Sequence, residues 1–311
     1  MNKNKVIVIL GPTSAGKTKL AVSLAKKFDG EIISADSRQV YRGMDVGTGK
    51  DLAEYVIKSE IRNPKSETAR IPYHLIDIID PKKQFTVAEF QRLAYKAIDE
   101  ILARGKTPIV CGGTGLYISA LVEGYVLQAT SYKLQAIRNR LNRLTLKQLL
   151  AQLNKIDPRT YKVIDKNNRR RVQRALEIYY QTGKTKSEQL KKQKPPYGFL
   201  LLGITLPREI LNRRIEERLK HRLEKEGMIE EIKRLHRQGV SWQRLDDFGL
   251  EYRFISRYLR GQMSYDQMFL ELKKAISNFA KRQMTWFRRN KDIKWLKNYQ
   301  QAEKWAKQFL K

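Results

Sequence analysis

Several features are scarce or missing in this chain of 311 residues, and each absence excludes a class of protein. The single cysteine, Cys111, excludes an intramolecular disulfide and a zinc site built from cysteines. No stretch approaches the roughly 18 apolar residues of a membrane span. The apolar run 6–10 is too short for a secretory signal, and a glycine-containing loop follows it where a cleavage site would stand. We therefore expect a cytoplasmic protein that does not contact membranes.

Acidic residues are also scarce, with 32 Asp and Glu against 63 Lys and Arg and a formal net charge of +31. The excess is uneven, because residues 1–125 carry a net charge of +5 and residues 126–311 carry +26. An adaptation for solubility, or a lysine-rich proteome, would give both parts a similar excess of basic residues. The asymmetry therefore favours a dedicated surface for a polyanion such as nucleic acid.

Residues 11–18 match the phosphate-binding pattern G-x-x-x-x-G-K-[ST] without departure. They lie between a β-branched apolar run and a stretch of helical periodicity, which is the context that this P-loop requires. Backbone N–H groups and the helix N-terminus surround an anion there, Lys17 adds positive charge, and the Thr18 hydroxyl can ligate Mg²⁺. The motif leaves open whether the anion belongs to ATP, GTP or another diphosphate. The loop consists of Gly11, Pro12, Thr13, Ser14, Ala15, Gly16, Lys17 and Thr18.

The order of elements predicts an α/β fold: a P-loop NTPase-like parallel sheet core with a basic helical insertion and C-terminal helices. Predicted strands cover 6–10, 31–34, 74–79, 107–110 and 199–205, and predicted helices cover 17–28, 86–104, a stretch ending near 124, 132–193 and most of 207–311. We accordingly divide the chain into a first core segment, 1–125, an insertion, 126–199, and a return strand with C-terminal helices, 200–311. The insertion holds 18 Lys and Arg against four Asp and Glu, which favours it as the polyanion-binding part.

Two further groups are expected near the phosphate loop, because the carboxyl ends of parallel strands line the ligand crevice. Asp36 follows the second strand, where it could be a general base, an outer ligand of Mg²⁺ or only a turn residue. Thr114 lies in a glycine-rich turn after the strand 107–110, where it offers a hydroxyl or belongs only to a tight turn. That strand ends in Val110 and Cys111 where nucleotide hydrolases often carry an acidic residue. The absence of an acidic residue at this position argues against a nucleotide-driven motor or switch.

The P-loop and five further sequence blocks follow one another along the chain. Together they closely resemble the tRNA dimethylallyltransferases, also called tRNA isopentenyltransferases. The resemblance runs from about Val6 to Arg288. The zinc finger of the eukaryotic members is absent, so the chain resembles the bacterial type. The five further blocks are residues 36–48, 74–77, 112–117, 169–177 and 280–288.

The resemblance implies an enzyme that transfers the dimethylallyl group of dimethylallyl diphosphate to N6 of adenosine 37, next to the anticodon of tRNA. The P-loop would then hold the donor's diphosphate rather than ATP, with Lys17, Thr18 and Mg²⁺ neutralising the leaving group. Asp36 would be the base that takes the proton of the adenine amine, with Thr114 near the target base. We expect a monomer that binds the anticodon stem-loop.

The resemblance also implies a set of binding residues. Either Arg214 or Arg218 would bind the diphosphate. From composition alone, 169–171 could be only a solvated basic helix face. The implied tRNA-binding residues are Asp36, Ser37, Arg38, Gln39, Thr114, Arg138, Arg170, Arg171, Val172, Gln173, Arg174, Lys281 and Arg282.

The chain departs from the family pattern in two places. Gly49 and Asp51 replace the usual alanine and proline, and residues 249–253 replace the usual Gly-Tyr-Lys-Glu. Two other classes of function remain as alternatives. A P-loop kinase with a small acceptor would be indifferent to tRNA, and a nucleic-acid-binding protein with a vestigial P-loop would not need Lys17.

Overall fold

The computed structural model of the chain describes residues 4–57, 69–126, 132–185 and 193–311. The chain divides into two units. The first unit joins Met1–Val122 to Pro196–Lys311, and the second unit is Glu123–Pro195. The second unit begins and ends a few residues before the insertion 126–199 that the sequence predicts.

A parallel sheet of six strands forms the centre of the first unit, with the order β5-β2-β6-β1-β7-β8 once the strands are numbered along the chain. The two remaining strands, β3 and β4, pair antiparallel with each other. The described strands are β1 Lys5–Leu10, β2 Gly30–Ser34, β3 Val56–Ile57, β4 Ala69–Arg70, β5 Tyr73–His74, β6 Thr107–Gly112, β7 Gly198–Gly203 and β8 Lys294–Trp295.

The central strand β1 explains why an unbroken apolar run marks a parallel sheet. Its neighbours β6 and β7 run parallel to it, so helical crossovers cover both faces and every side chain must be apolar. Val6 and Val8 pack into the cluster on one face, whereas Ile7 and Ile9 pack into the cluster on the other. The predicted parallel core is confirmed.

The predicted strand 74–79 is wrong over most of its length. Pairing with β2 stops at His74, because Leu75 and Asp77 adopt left-handed backbone with φ of 62° and 57°. Only Ile79 pairs again, in a single bridge to Tyr41. A run of apolar residues with one acid in its middle carries no signal for such a backbone.

The helices lie within the predicted ranges, but the described part of the stretch 132–193 divides into four helices that end at Thr182, and residues 186–192 lie outside the described residues. The predicted capping box of Thr86 and Glu89 is present at the start of the second helix. None of the helices in the described ranges is long and apolar enough to cross a membrane. The helices of the first unit are α1 Lys17–Lys27, α2 Val87–Ala103, α3 Gly115–Val122, α8 Arg208–Glu224, α9 Met228–Arg237, α10 Trp242–Phe248, α11 Leu250–Leu259, α12 Tyr265–Phe287 and α13 Tyr299–Leu310, and those of the second unit are α4 Tyr132–Asn142, α5 Leu146–Ile156, α6 Pro158–Val163 and α7 Arg169–Thr182.

Three apolar clusters hold the first unit together. α2 and α3 pack on one face of the sheet, with Phe90 of α2 stacked on Tyr117 of α3. α1 and α13 cover the other face. The third cluster joins α8 to α12 and reaches Val40, Tyr41 and Met44 in the segment after β2. The third cluster therefore fixes that segment and α8 against each other at the carboxyl edge of the sheet.

The second unit has an apolar cluster of its own, built by α4, α5 and α7. Thr145 and Gln148 form a capping box at the start of α5, and Asn168 caps α7. The buried members of this cluster are Leu141, Leu149, Leu153, Val172, Ala175 and Leu176. These helices are amphipathic, and their apolar sides are buried against one another. Their basic residues therefore lie on the surface of the second unit.

Candidate active site

A cleft of about 750 Å³ opens at the carboxyl edge of the sheet, within the first unit. The segments that follow β1, β2 and β6 all contribute to its wall. Residues of α8, α11 and α12 form the remaining wall. Loops converge at this edge in parallel α/β sheets, which is why ligands bind there.

The P-loop joins β1 to α1, as its sequence predicts. Ser14 and Gly16 have φ of 59° and 90°, the left-handed backbone that turns successive N–H groups towards one concavity. Lys17 Nζ donates to the carbonyl oxygen of Pro12 at 2.7 Å and so folds back over the loop. Thr13, Ser14, Gly16, Lys17 and Thr18 line the cleft, whereas Gly11, Pro12 and Ala15 are buried.

Lys17 is the cation at the centre of this loop. Burial lowers the pKa of Lys17 to about 8, and nearby Arg218 also lowers it, whereas the carboxylate of Asp36 opposes the shift. The ammonium form therefore lacks the counter-charge that it needs inside the protein. An anion in the loop would supply that charge and favour the protonated amine.

Asp36 and Thr114 lie on facing turns at the ends of β2 and β6. Asp36 Oδ1 accepts a hydrogen bond from the backbone N–H of Arg38 at 2.8 Å, so the carboxylate does act as a turn residue. Thr114 Oγ1 accepts from the N–H of Ser37 at 3.0 Å and ties the two turns together. Both side chains also line the cleft. The turn role fixes the Asp36 carboxylate in place and does not exclude a chemical role.

The close approach of these two turns requires a glycine. A Cβ atom on Gly112 would lie 2.2 Å from the carbonyl oxygen of Ala35, well inside van der Waals contact. The glycine-rich run after β6 is therefore needed to bring Thr114 against the segment that carries Asp36.

Gln283 of α12 connects the P-loop to the turn after β6. Its Oε1 accepts from the backbone N–H of Thr13 at 2.9 Å, and its Nε2 donates to the carbonyl oxygen of Gly113 at 2.8 Å. The residue is buried. An amide supplies one donor and one acceptor at once, so it matches the two backbone groups as no apolar residue could. Gln283 thus sets the distance between the phosphate loop and the Thr114 turn.

Three arginines of α8 line the cleft with a spacing of four residues, namely Arg214, Arg218 and Arg222. This spacing puts them on one face of the helix. The resemblance implies either Arg214 or Arg218 as the diphosphate ligand, and both lie at the cleft. Arg222 was not foreseen, because it lies one turn beyond the predicted pair.

Glu231 of α9 anchors the segment that follows β2. Its carboxylate accepts from the backbone N–H groups of Asp45, Val46 and Gly47 at 2.7, 2.7 and 3.1 Å, and from the hydroxyl of Tyr252 at 2.8 Å. A buried carboxylate with four donors is well satisfied. The segment therefore has a fixed course where it enters the cleft wall.

Glu251, in the block that departs from the family pattern, lies in the cleft wall at the start of α11. Burial raises the pKa of its carboxyl, although Arg222, Arg218 and Arg38 each counteract the shift. Glu251 thus places an acidic group among the arginines of the cleft.

Tyr299, at the start of α13, also reaches the P-loop. Its hydroxyl donates to the carbonyl oxygen of Gly16 at 3.1 Å, and its ring lines the cleft. Neither Tyr299 nor Gln283 belongs to a pattern that a single sequence reveals. Both are brought to the loop by packing of the C-terminal helices, roughly 270 residues and more along the chain.

The predicted tRNA-binding residues are divided between the two units. Ser37, Arg38, Gln39 and Arg282 line the cleft together with Asp36 and Thr114, whereas Lys281 is exposed next to it in sequence. Arg138, Arg170, Arg171, Val172, Gln173 and Arg174 belong to the second unit.

Within the second unit, Glu177 organises two of the predicted arginines. Its carboxylate pairs with Arg138 Nε at 3.2 Å and with Arg174 Nη1 at 3.0 Å, and Glu177 itself is buried. Arg170 and Arg171 are exposed on α7. Val172 is fully buried in the apolar cluster, so its side chain supports the helix and does not face solvent.

The chain is similar to known proteins over nearly its whole length. A family model described as IPP transferase matches residues 39–290, and one described as isopentenyl transferase matches residues 4–62. The tRNA dimethylallyltransferase 1 of Syntrophus aciditrophicus (strain SB) is 47% identical over 289 residues, which cover 93% of this chain and 90% of that protein.

Two solved structures are also similar. The full-length tRNA isopentenylpyrophosphate transferase from Bacillus halodurans superposes with a TM-score of 0.68 at 36% identity, over 99% of this chain and 97% of the other. A eukaryotic dimethylallyltransferase acting on tRNA gives a TM-score of 0.75 at 30% identity, over 94% of this chain and 73% of the other.

The bridge made by Gln283 predicts a measurable effect on anion binding. Replacing Gln283 by Leu keeps the volume but removes both hydrogen bonds, which are worth roughly 1 kcal/mol each. We expect the variant to bind inorganic pyrophosphate about tenfold more weakly in a calorimetric titration. Gln262→Leu, at an exposed position, is the control and should bind as the unaltered protein does. Equal affinity of Gln283→Leu and the unaltered protein would contradict the bridge.

The lowered pKa of Lys17 predicts a pH dependence. The amine is protonated below about pH 8 and loses its charge as the pH rises through that value, so it attracts an anion less strongly above it. We expect the ratio of the pyrophosphate affinities of the unaltered protein and Lys17→Met to fall about tenfold between about pH 7 and about pH 9. The ratio cancels the titration of pyrophosphate itself. A ratio independent of pH would show that Lys17 keeps its charge throughout.

Proposed function

The chain belongs to the tRNA dimethylallyltransferase family, and we propose that it transfers the dimethylallyl group of dimethylallyl diphosphate to N6 of adenosine 37 in the anticodon stem-loop of tRNA. Diphosphate is released, and the product is N6-isopentenyladenosine. The observation that supports this most directly is that a phosphate loop and a fixed carboxylate, Asp36, line the same cleft. A prenyl transfer to an amine needs both, because a diphosphate must leave and a proton must be taken.

The leaving diphosphate is the first part of the chemistry. The bond between C1 of the allyl group and the diphosphate oxygen breaks, and negative charge accumulates on that oxygen. Backbone N–H groups of the P-loop, Lys17 and an arginine of α8, Arg214 or Arg218, stabilise this charge in a cleft that excludes much of the water. Apolar surface from Ile276 and Phe279 in the same wall is available to the hydrocarbon part.

Mg²⁺ fits the oxygen donors of this cleft. It commonly takes one or two protein oxygens and completes its shell with substrate phosphates and water, and Thr18, whose hydroxyl would hold the ion, lines the cleft. Among the residues that the structure describes, no group of three His, Cys, Asp or Glu forms a separate metal site. Bound there, Mg²⁺ would offset charge on the diphosphate.

The acceptor requires a base. The N6 amine of adenine is a weak nucleophile, so its proton must pass to a protein group as the bond from N6 to C1 forms. Asp36 is held in the cleft by the N–H of Arg38 and takes this proton. The adenine must leave its stack to reach the cleft, and Thr114 is placed to hydrogen-bond it there.

The remaining tRNA contacts are electrostatic. We assign phosphate contacts to the basic residues of the second unit, including Arg170 and Arg171, and to Lys281 and Arg282 of α12. Phosphate contacts position the RNA without reading its sequence. Every group named in this mechanism lies on one chain, which supports action as a monomer. We propose that the protein acts in the cytoplasm.

Nucleoside analysis tests the proposed reaction. We expect the protein, with Mg²⁺ and dimethylallyl diphosphate but without ATP, to convert adenosine 37 of an unmodified tRNA to N6-isopentenyladenosine, detected by mass spectrometry. The matched control is the same tRNA with guanosine at position 37, which should remain unmodified. Phosphorylation of an acceptor by ATP, with no prenylated nucleoside, would instead support a P-loop kinase.

The role of Asp36 as base has its own test. Asp36→Asn keeps the size and can keep the hydrogen bond from Arg38, but it cannot take a proton at neutral pH. We expect turnover to fall by roughly 10²–10⁴-fold, the usual contribution of a general base, with little change in tRNA affinity. A loss of tRNA binding with normal single-turnover chemistry would assign Asp36 to recognition instead.

A further inference from the structure

Asp51 joins two arginines of the cleft wall. Its Oδ2 pairs with Arg218 Nη2 at 2.5 Å, and its Oδ1 pairs with Arg222 Nη2 at 3.0 Å. Both bonds are charge-assisted, and each uses a different carboxylate oxygen. Asp51 is one of the two residues at which this segment departs from the usual pattern of the family.

The other departure, Gly49, makes room for the bridge. Its φ is +65°, and a Cβ atom there would lie 2.3 Å from Nη2 of Arg218 and 2.4 Å from Nη2 of Arg222. A side chain at this position would therefore push both guanidinium groups out of their places. The two departures thus form one arrangement, in which Gly49 admits the arginines and Asp51 holds them.

The two arginines differ in exposure, and this suggests different roles. The side chain of Arg222 is 7% exposed, whereas that of Arg218 is 32% exposed. A buried guanidinium requires a close anion, and the Glu226 carboxylate lies farther from Arg222, at 3.8 Å. Arg222 is therefore the fixed end of the bridge, and Arg218 is the end that a ligand can reach.

Arg218 lies close to the phosphate loop. A small recess adjoining the cleft is lined by Thr13 and Ser14 of the P-loop together with Arg218 and Arg222. The positive charge of Arg218 also acts on Lys17. A guanidinium at this point can meet the same anion that the P-loop holds.

We propose that Asp51 is a positioning residue for the donor's diphosphate, which uses buried Arg222 as an anchor to hold the guanidinium of Arg218 towards the P-loop. The proposal rests on the proposed function for the identity of the ligand. The preorganised arginine needs less reordering when diphosphate binds, so affinity is gained although Asp51 itself is an anion. Burial alone would raise the pKa of Asp51, but Arg218 and Arg222 lower it, so the carboxylate is charged at neutral pH.

Binding of inorganic pyrophosphate tests the proposal without reference to catalysis. Asp51→Asn keeps the shape but weakens both ion pairs, and we expect it to bind pyrophosphate about tenfold more weakly in a calorimetric titration. The KM for dimethylallyl diphosphate should rise with it, whereas the affinity for tRNA should stay as it is. The melting temperature should fall, because buried Arg222 loses its closest anion, so binding is measured well below the melting temperature of the variant. The matched control is Asp29→Asn, which removes a carboxylate from an exposed pair with Lys106 on the opposite edge of the sheet.

A double-mutant cycle distinguishes positioning from a direct effect of charge. In an Arg218→Gln background, Asp51→Asn should cost little further pyrophosphate affinity, because Asp51 acts through Arg218. Asp51→Glu should restore part of the loss. Unchanged or tighter pyrophosphate binding by Asp51→Asn would overturn the proposal. If the unaltered protein transfers no prenyl group yet the cycle behaves as expected, the proposed function fails and the positioning role stands.

Discussion

The concentration of positive charge on buried side chains of one cleft is the constraint on which this molecule depends. Lys17, Arg38 and Arg218 are each held where burial lowers their pKa, so each is costly to the folded protein until an anion is near. Asp51 and Glu251 offset part of that cost in the free protein. The cations that line the cleft outnumber the carboxylates, which leaves an excess of positive charge that a diphosphate can neutralise. Affinity for the leaving group is thus built into the free cleft.

Such a cleft binds an anion only if the segments that form its walls stay at fixed distances from one another. Single polar residues set the distances between these segments. Gln283 spans the P-loop and the turn after β6, and Glu231 gathers three backbone N–H groups of the segment after β2. Both residues are buried and both come from C-terminal helices. The C-terminal helices, which the resemblance links to ligands only through basic residues such as Arg218 and Arg282, are therefore also part of the active-site frame. This explains why the fold joins 196–311 to the sheet as one unit.

The sequence predicts those features that depend on neighbours in the chain. The buried run 6–10, the P-loop and the capping box at Thr86 are local, and all three are found. The prediction of a strand at 74–79 was wrong because Leu75 and Asp77 have left-handed backbone, which a local pattern does not reveal. Tertiary contacts accompany this backbone, including the ion pair between the Asp77 carboxylate and buried Lys50. Contacts between distant residues, such as Gln283 with Thr13, carry no local signal either. A resemblance to known proteins pointed to several residues that line the cleft, but it gave Asp51 only as a departure from the usual pattern and assigned it no role.

Among the residues that the structure describes, one carboxylate joins two arginines at Asp51, Glu177 and Asp246, and the first two of these involve residues that we assign to a polyanion. Asp51 joins Arg218 to Arg222 in the first unit, and Glu177 joins Arg138 to Arg174 in the second. One carboxylate reduces the net charge of an arginine pair from two to one, which lowers their repulsion in the free protein. It also occupies only some of the five N–H donors of each guanidinium and fixes the plane of the rest. The donors that remain are then already oriented for phosphate oxygens. A basic surface built in this way binds with less loss of side-chain freedom than the same number of unconstrained cations would.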